Sequence, residues 1–122
     1  MPLFSELSNK KTTAIAKPIN SLPTYFVYIL YSKKLDAFYK GQTSDLTDRL
    51  NRHNSGYEKA TKPGTPWVMI WFTQKDSRSE ALKLESKLKN LSRVRLVQFM
   101  LKYQDGVASP DELLLLKQLA GC

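Results

Sequence analysis

The sequence is poor in the residues that staple, ligate or span. Of its 122 residues one is cysteine, Cys122, and one is histidine, His53, so neither an internal disulfide nor a structural zinc site can be assembled. That cysteine usage suits a reducing compartment, and a cytoplasmic location is expected. No apolar run approaches the ~18 residues that cross a bilayer. The long ones, Tyr25 to Tyr31 and Trp67 to Phe72, are of strand length. Residues 1–22 carry lysines without an apolar h-region, so no secretory signal is expected. Repeats and low-complexity tracts are absent as well. Negative charge is scarce: 11 Asp and Glu against 19 Lys and Arg leave a net charge of +8. A small domain that basic meets an anionic partner, with nucleic acid ahead of a membrane surface.

What is present makes one compact domain, with 42% apolar residues to fill its core. Met1 to Pro23 is polar and unperiodic and reads as a loosely ordered arm over residues 1–22. The folded domain is expected over 23–100, and 101–122 as a helical extension packed on it. "YFVYILY", Tyr25 to Tyr31, is aromatic and β-branched and reads as a strand apolar on both faces. "SKKLDA" follows as a hairpin loop and "FYKGQ" as a second, short strand. Ser44 or Asp45 can cap a helix running to about His53, which Asn54-Ser55-Gly56 ends. After the basic loop "YEKATKPGTP", "WVMIWFT" (Trp67 to Thr73) is a third buried strand. "SRSE" at Ser77 to Glu80 is a capping-box pattern opening a helix that continues to about Leu91. "SRVRLVQFMLK" from Ser92 and "SPDELLLLKQLA", with Pro110 at its start, predict two more helices. This order implies a small α/β (α+β) fold, a three-stranded, largely antiparallel sheet flanked by helices. The four consecutive leucines Leu113 to Leu116 exceed what a single face needs, so the last helix packs on its own domain or in a weak homodimer.

Chemistry emerges when the helices are set on a wheel of about 100° per residue. With Leu46 at zero, Leu50 falls near about 40°, His53 near about 340° and Arg49 near about 300°. Arg49 and His53 thus share one edge of the buried stripe, one turn apart, either as a snorkelling arginine beside a half-buried histidine or as two groups converging on one object. On the second helix Glu85 lands inside the arc of Ala81, Leu84, Leu88 and Leu91. A carboxylate there must be paired or hold a metal. Lys89, four residues on, offers the ion pair. Alternation puts Tyr25, Val27, Ile29 and Tyr31 on one face of the first strand and Phe26, Tyr28 and Leu30 on the other. Tyr28 and Tyr39 can then meet across the hairpin, and Gly41 lets backbone or ligand approach. Two phenols, an arginine, a histidine and one inward carboxylate on a basic domain suit phosphodiester hydrolysis, which needs a metal ligand, a cation for the developing charge and a base.

"FVYIL", "FYKG", "DLTDRLNRHNSG" and "RSEALKLESKLK", in that order and spacing from Tyr25 to Arg95, resemble the GIY-YIG nuclease family, and most of all its small stand-alone bacterial members. The first motif here reads Val27-Tyr28 without the named glycine and isoleucine, and Lys40 stands in the middle of the second. The resemblance implies Tyr28, Tyr39, Arg49, His53 and Glu85 as catalytic residues, Gly41 as the end of the second motif, and Glu85 as the ligand of one divalent ion, Mg²⁺ or Mn²⁺. It also implies an endonuclease acting on DNA more than RNA, with repair among its relatives' roles. In that mechanism Arg49 donates to the phosphate, and His53 takes a proton directly or from Tyr39. Tyr28 orients Tyr39 or the phosphate. Lys40, Lys59, Lys62 and Lys89 are the candidate substrate contacts within a basic rim. Nothing resembles a recognition helix or zinc finger, so cutting directed by structure and not by base sequence is expected. The competing reading is a non-catalytic nucleic-acid-binding or partner-dependent module on the same fold.

Overall fold

The computed structural model describes residues 24–121, and the arm expected over 1–22 lies outside the described residues, as does Cys122. Tyr25–Ser32 forms β1 and Ala37–Thr43 forms β2, an antiparallel hairpin in which Tyr28 stands opposite Gly41 and Leu30 opposite Tyr39. Asp36 turns the hairpin at a φ of 52°, a left-handed conformation that aspartate tolerates better than most residues. Trp67–Lys75 forms β3, antiparallel to the other side of β1, so the strand order is β2-β1-β3. The most apolar strand is therefore the central one. Both of its faces are covered, as its sequence requires.

Four helices complete the described residues: α1 (Leu46–Asn54), α2 (Arg78–Lys89), α3 (Arg93–Lys102) and α4 (Pro110–Leu119). Asp45, not Ser44, caps α1, its carboxylate accepting from the Asp48 N–H. Ser77 and Ser92 cap α2 and α3 in the same way. Helix α2 stops at Lys89, two residues short of Leu91, because the chain must free Ser92 to cap the next helix. Gly56, at a φ of 80°, turns the chain away after α1.

The two faces of the sheet are distinct. On one, Val27, Ile29 and Tyr31 meet Ala81 and Leu88 of α2, Leu96, Val97 and Met100 of α3 and Leu116 of α4. The leucine run of α4 divides accordingly: Leu116 is wholly buried, Leu115 and Leu119 flank it, and Leu114 faces out. On the other face Tyr28 and Leu30 pack with Leu46, Trp67, Met69 and Phe72. A register shift against Ile29 and Leu30 puts the consecutive Ile70 and Trp71 into the first cluster and returns Phe72 to the second. At that irregularity the chain after α3 seals the edge of β3: Ala108 donates its N–H to the Ile70 carbonyl, and the Trp71 indole donates to the Tyr103 carbonyl. Among the described residues, no strand lies beside the outer edge of β2. No helix among the described residues is long and apolar enough to cross a membrane.

Candidate active site at the edge of β2

The site begins with a missing side chain. Tyr28 lies over Gly41, where a Cβ would meet the phenol oxygen at 2.6 Å. Glycine lets the Tyr28 ring cross its neighbouring strand toward the sheet edge. There its hydroxyl meets His53 Nε2 at 3.0 Å. His53 comes from the last turn of α1, is 1% exposed, and spends its other nitrogen, Nδ1, on Thr61 Oγ1 at 2.8 Å. Tyr39, two residues along β2, presents its ring to the imidazole edge-on, with centroids 4.9 Å apart, and lies 6.4 Å from the Tyr28 ring. The expected Tyr28–Tyr39 pairing is thus diagonal, because Tyr39 stands opposite Leu30. The histidine's hydrogen bond goes to Tyr28, where the sequence reading had His53 act directly or through Tyr39.

Arg49, one turn before His53, completes this face. Its Nε is buried without a hydrogen-bond partner. A buried guanidinium nitrogen left unpaired is costly unless an acceptor arrives from outside the chain. Burial above all, and then Tyr39, pushes the Tyr28 phenol well above its ordinary value, while Arg49 pulls it back and Glu85 raises it further. Glu85 therefore belongs to the same electrostatic neighbourhood, although α2 packs on the opposite face. Burial also holds His53 below its ordinary value, with Glu58 opposing and Arg49 and Arg52 assisting.

Glu85 is only 16% exposed, and its carboxylate pairs with Lys89 Nζ at 3.1 Å. Lys40, on β2 opposite Ile29, is held below the ordinary amine range by burial and then by Lys89, so the two ammonium groups lie within electrostatic reach of each other. Lys59 and Lys62 are exposed on the loop that brings Thr61 to His53. Direct contacts thus join Tyr28, Tyr39 and His53, Arg49 and Glu85 act on the Tyr28 phenol electrostatically, Lys89 pairs with Glu85, and Lys59 and Lys62 lie on the surrounding loop. Sequence reasoning missed Thr61, since a threonine in an unperiodic loop carries no pattern.

One divalent ion fits Glu85. Among the described residues no group of three or more His, Cys, Asp or Glu could form an all-protein cage. A lone carboxylate at an open edge suits Mg²⁺ or Mn²⁺, which leaves its other positions to water and phosphate.

The sequence model of the GIY-YIG catalytic domain matches residues 24–97. A UPF0213 protein of Listeria welshimeri is 34% identical over 82 residues, covering 66% of this chain and 90% of its own. A UPF0213 protein of Pectobacterium carotovorum is 38% identical over 80 residues, covering 62% of this chain and 80% of its own. The solution structure of the UPF0213 protein BH0048 from Bacillus halodurans shares 30% identity over 73% of this chain and 90% of its own, with a TM-score of 0.45. These names state no activity.

Proposed function

The chain belongs to the GIY-YIG nuclease family, and from that premise we propose that it is a metal-dependent endonuclease that hydrolyses phosphodiester bonds in DNA, choosing its substrate by structure. The observation that carries this reading is the unpartnered, buried Nε of Arg49 next to the Tyr28–His53 pair. A scissile phosphate would give that nitrogen its acceptor and place phosphorus beside a phenol backed by a base.

In this mechanism Glu85 would hold the divalent ion, with a carboxylate that now pairs with Lys89. The ion, when bound, would neutralise charge building on the phosphate and on the departing oxygen. Arg49 donates to the phosphate from the other side. Tyr28 does not ionise by itself near neutral pH, because its phenol is held above its ordinary value. Its proton leaves only by passing along the 3.0 Å hydrogen bond to His53 Nε2, while Tyr28 takes one from the attacking water. His53, held below its ordinary value, is neutral and able to accept. Tyr39 packs edge-on against the imidazole. Lys40, Lys59 and Lys62 would meet the substrate backbone, a contact whose strength falls with salt.

The test is a panel of labelled duplex, flap, junction and single-stranded DNAs and RNA, incubated with Mg²⁺, Mn²⁺ or EDTA. Glu85→Ala should abolish metal-dependent cleavage, and Arg49→Ala should cost about 10²–10³-fold in kcat. Cleavage that survives in Glu85→Ala would overturn the site. Salt-sensitive binding without any cleavage would favour the binding module.

A further inference from the structure

The loop between α1 and β3 is built around one buried hydroxyl. Thr61 is 2% exposed, although it lies among Lys59, Lys62 and Pro63, which all face solvent. Its N–H donates to the Glu58 carbonyl at 3.2 Å. Its own carbonyl accepts from the Trp67 indole at 2.7 Å. The Trp67 ring in turn lies where a Cβ on Gly64 would come within 2.5 Å, and the Trp67 backbone N–H and carbonyl are both taken by the Asn54 side chain at the end of α1. The position of Thr61 relative to α1 is therefore over-determined. The side chain so placed touches His53 Nδ1 at 2.8 Å.

The polarity of that contact follows from counting protons. A threonine hydroxyl has one proton and two lone pairs. The Glu58 carbonyl, 3.4 Å away and shared with the N–H groups of Thr61 and Lys62, is the distant acceptor for the Thr61 Oγ1 proton, and with the proton turned that way a lone pair faces His53. Nδ1 must then carry the imidazole proton. In a neutral ring this leaves Nε2 bare, facing the Tyr28 hydroxyl at 3.0 Å. Tyr28 is then the donor of that bond, since a bare Nε2 can only accept. Both residues are shielded from water, so the opposite tautomer would leave Nδ1 and Oγ1 to be satisfied only by withdrawing Thr61 from Glu58 and reversing Tyr28.

We propose that Thr61 is a positioning residue which fixes His53 as its Nδ1–H tautomer and so holds Nε2 open for the Tyr28 proton. The chain of donors runs Tyr28 O–H to Nε2, Nδ1–H to Thr61 Oγ1, and Thr61 O–H to Glu58 O. The consequence for rate rests on the nuclease reading, whereas the tautomer itself does not.

Because His53 is the chain's one histidine, a long-range ¹H–¹⁵N spectrum of the untagged, labelled full chain reports this imidazole alone. Near pH 7.5 the wild type should show a protonated Nδ1 and a bare Nε2. Thr61→Val keeps the shape and removes the acceptor, and should move the ring toward the Nε2–H tautomer. Its kcat should fall about 10- to 100-fold, as when the outer partner of a ligating histidine is removed, with KM for DNA unchanged. Thr61→Ser should restore both. An Nε2–H ring in the wild type overturns the proposal whether or not the protein cuts, as does a Thr61→Val protein that keeps both tautomer and kcat. The expected tautomer in a wild type that cleaves nothing on the panel would sustain the positioning role and sink the nuclease reading instead. If Thr61→Val fails to fold, the wild-type and Thr61→Ser spectra decide.

Discussion

The two faces of one central strand have opposite economies. On the face of Val27, Ile29 and Tyr31, helices α2, α3 and α4 together build an apolar cluster. On the face of Tyr28 and Leu30, α1 and the loop after it supply the cover, and the buried set includes His53, Thr61 and the Tyr28 hydroxyl. The first face stabilises by removing apolar surface from water. The second buries polar atoms whose hydrogen bonds are directional, so it specifies positions more than it adds stability. Glu85 stands on a helix of the apolar face, yet its charge still raises the Tyr28 phenol on the polar one.

The sharpest way to break this contrast is to damage the apolar face. Leu88, wholly buried under the sheet, should cost about 2–5 kcal/mol as Leu88→Ala in urea unfolding. The folded fraction should cut DNA with unchanged KM. A similar stability loss from Thr61→Val would erase the distinction between the faces.

The converse variant is Gly41→Ala. Its Cβ would press on the Tyr28 hydroxyl at 2.6 Å, so the tyrosine must leave its place over β2. Cleavage should fall about 10²-fold, the scale of a displacement near 1 Å in a reacting group, with a smaller loss of stability than Leu88→Ala. Equal damage to folding and to cutting would show that the strand and not the phenol had been disturbed.

Protonation separates the faces more gently. Burial lowers the folded-state value of His53, so the unfolded chain takes up this proton at a higher pH than the folded one. The contribution is fully present above the ordinary imidazole range and is lost as pH falls through it. Glu58 opposes the shift and Arg49 and Arg52 add to it, while Tyr28 and Tyr39 are the groups in contact with the ring. Urea midpoints of the wild type should therefore drop between pH 7.5 and 5 by more than those of His53→Gln. Parallel curves would argue that the imidazole titrates as though solvated.

The smallest effect concerns Lys89. Its pair with Glu85 is half in solvent on the lysine side, so it opposes metal binding by at most about 1 kcal/mol. Lys89→Met should tighten Mn²⁺ binding up to about fivefold, read by calorimetry or by Mn²⁺ relaxation enhancement without substrate. Weakened binding would assign Lys89 a supporting role toward the ion.

The strands, the helices and their caps were legible because alternation, 3.6-residue periodicity and capping residues act locally. Glu85 was legible as a carboxylate inside an apolar arc, and Lys89 as its partner four residues on, since both follow from one helix. The two-faced apolarity of β1 announced the central strand. The hydrogen bond from Tyr28 to His53 was not legible, because it depends on hairpin register and on the space left over Gly41. Thr61 was hidden for a related reason: its importance comes from an indole, an asparagine and a backbone carbonyl that hold a loop, none of which leaves a period in the sequence. Sequence by itself determined which residues could do chemistry and which surfaces had to be buried, because those depend on composition and local spacing. Tertiary structure alone decided which nitrogen faces which hydroxyl, because that is set by contacts between segments 8 and 25 residues apart along the chain.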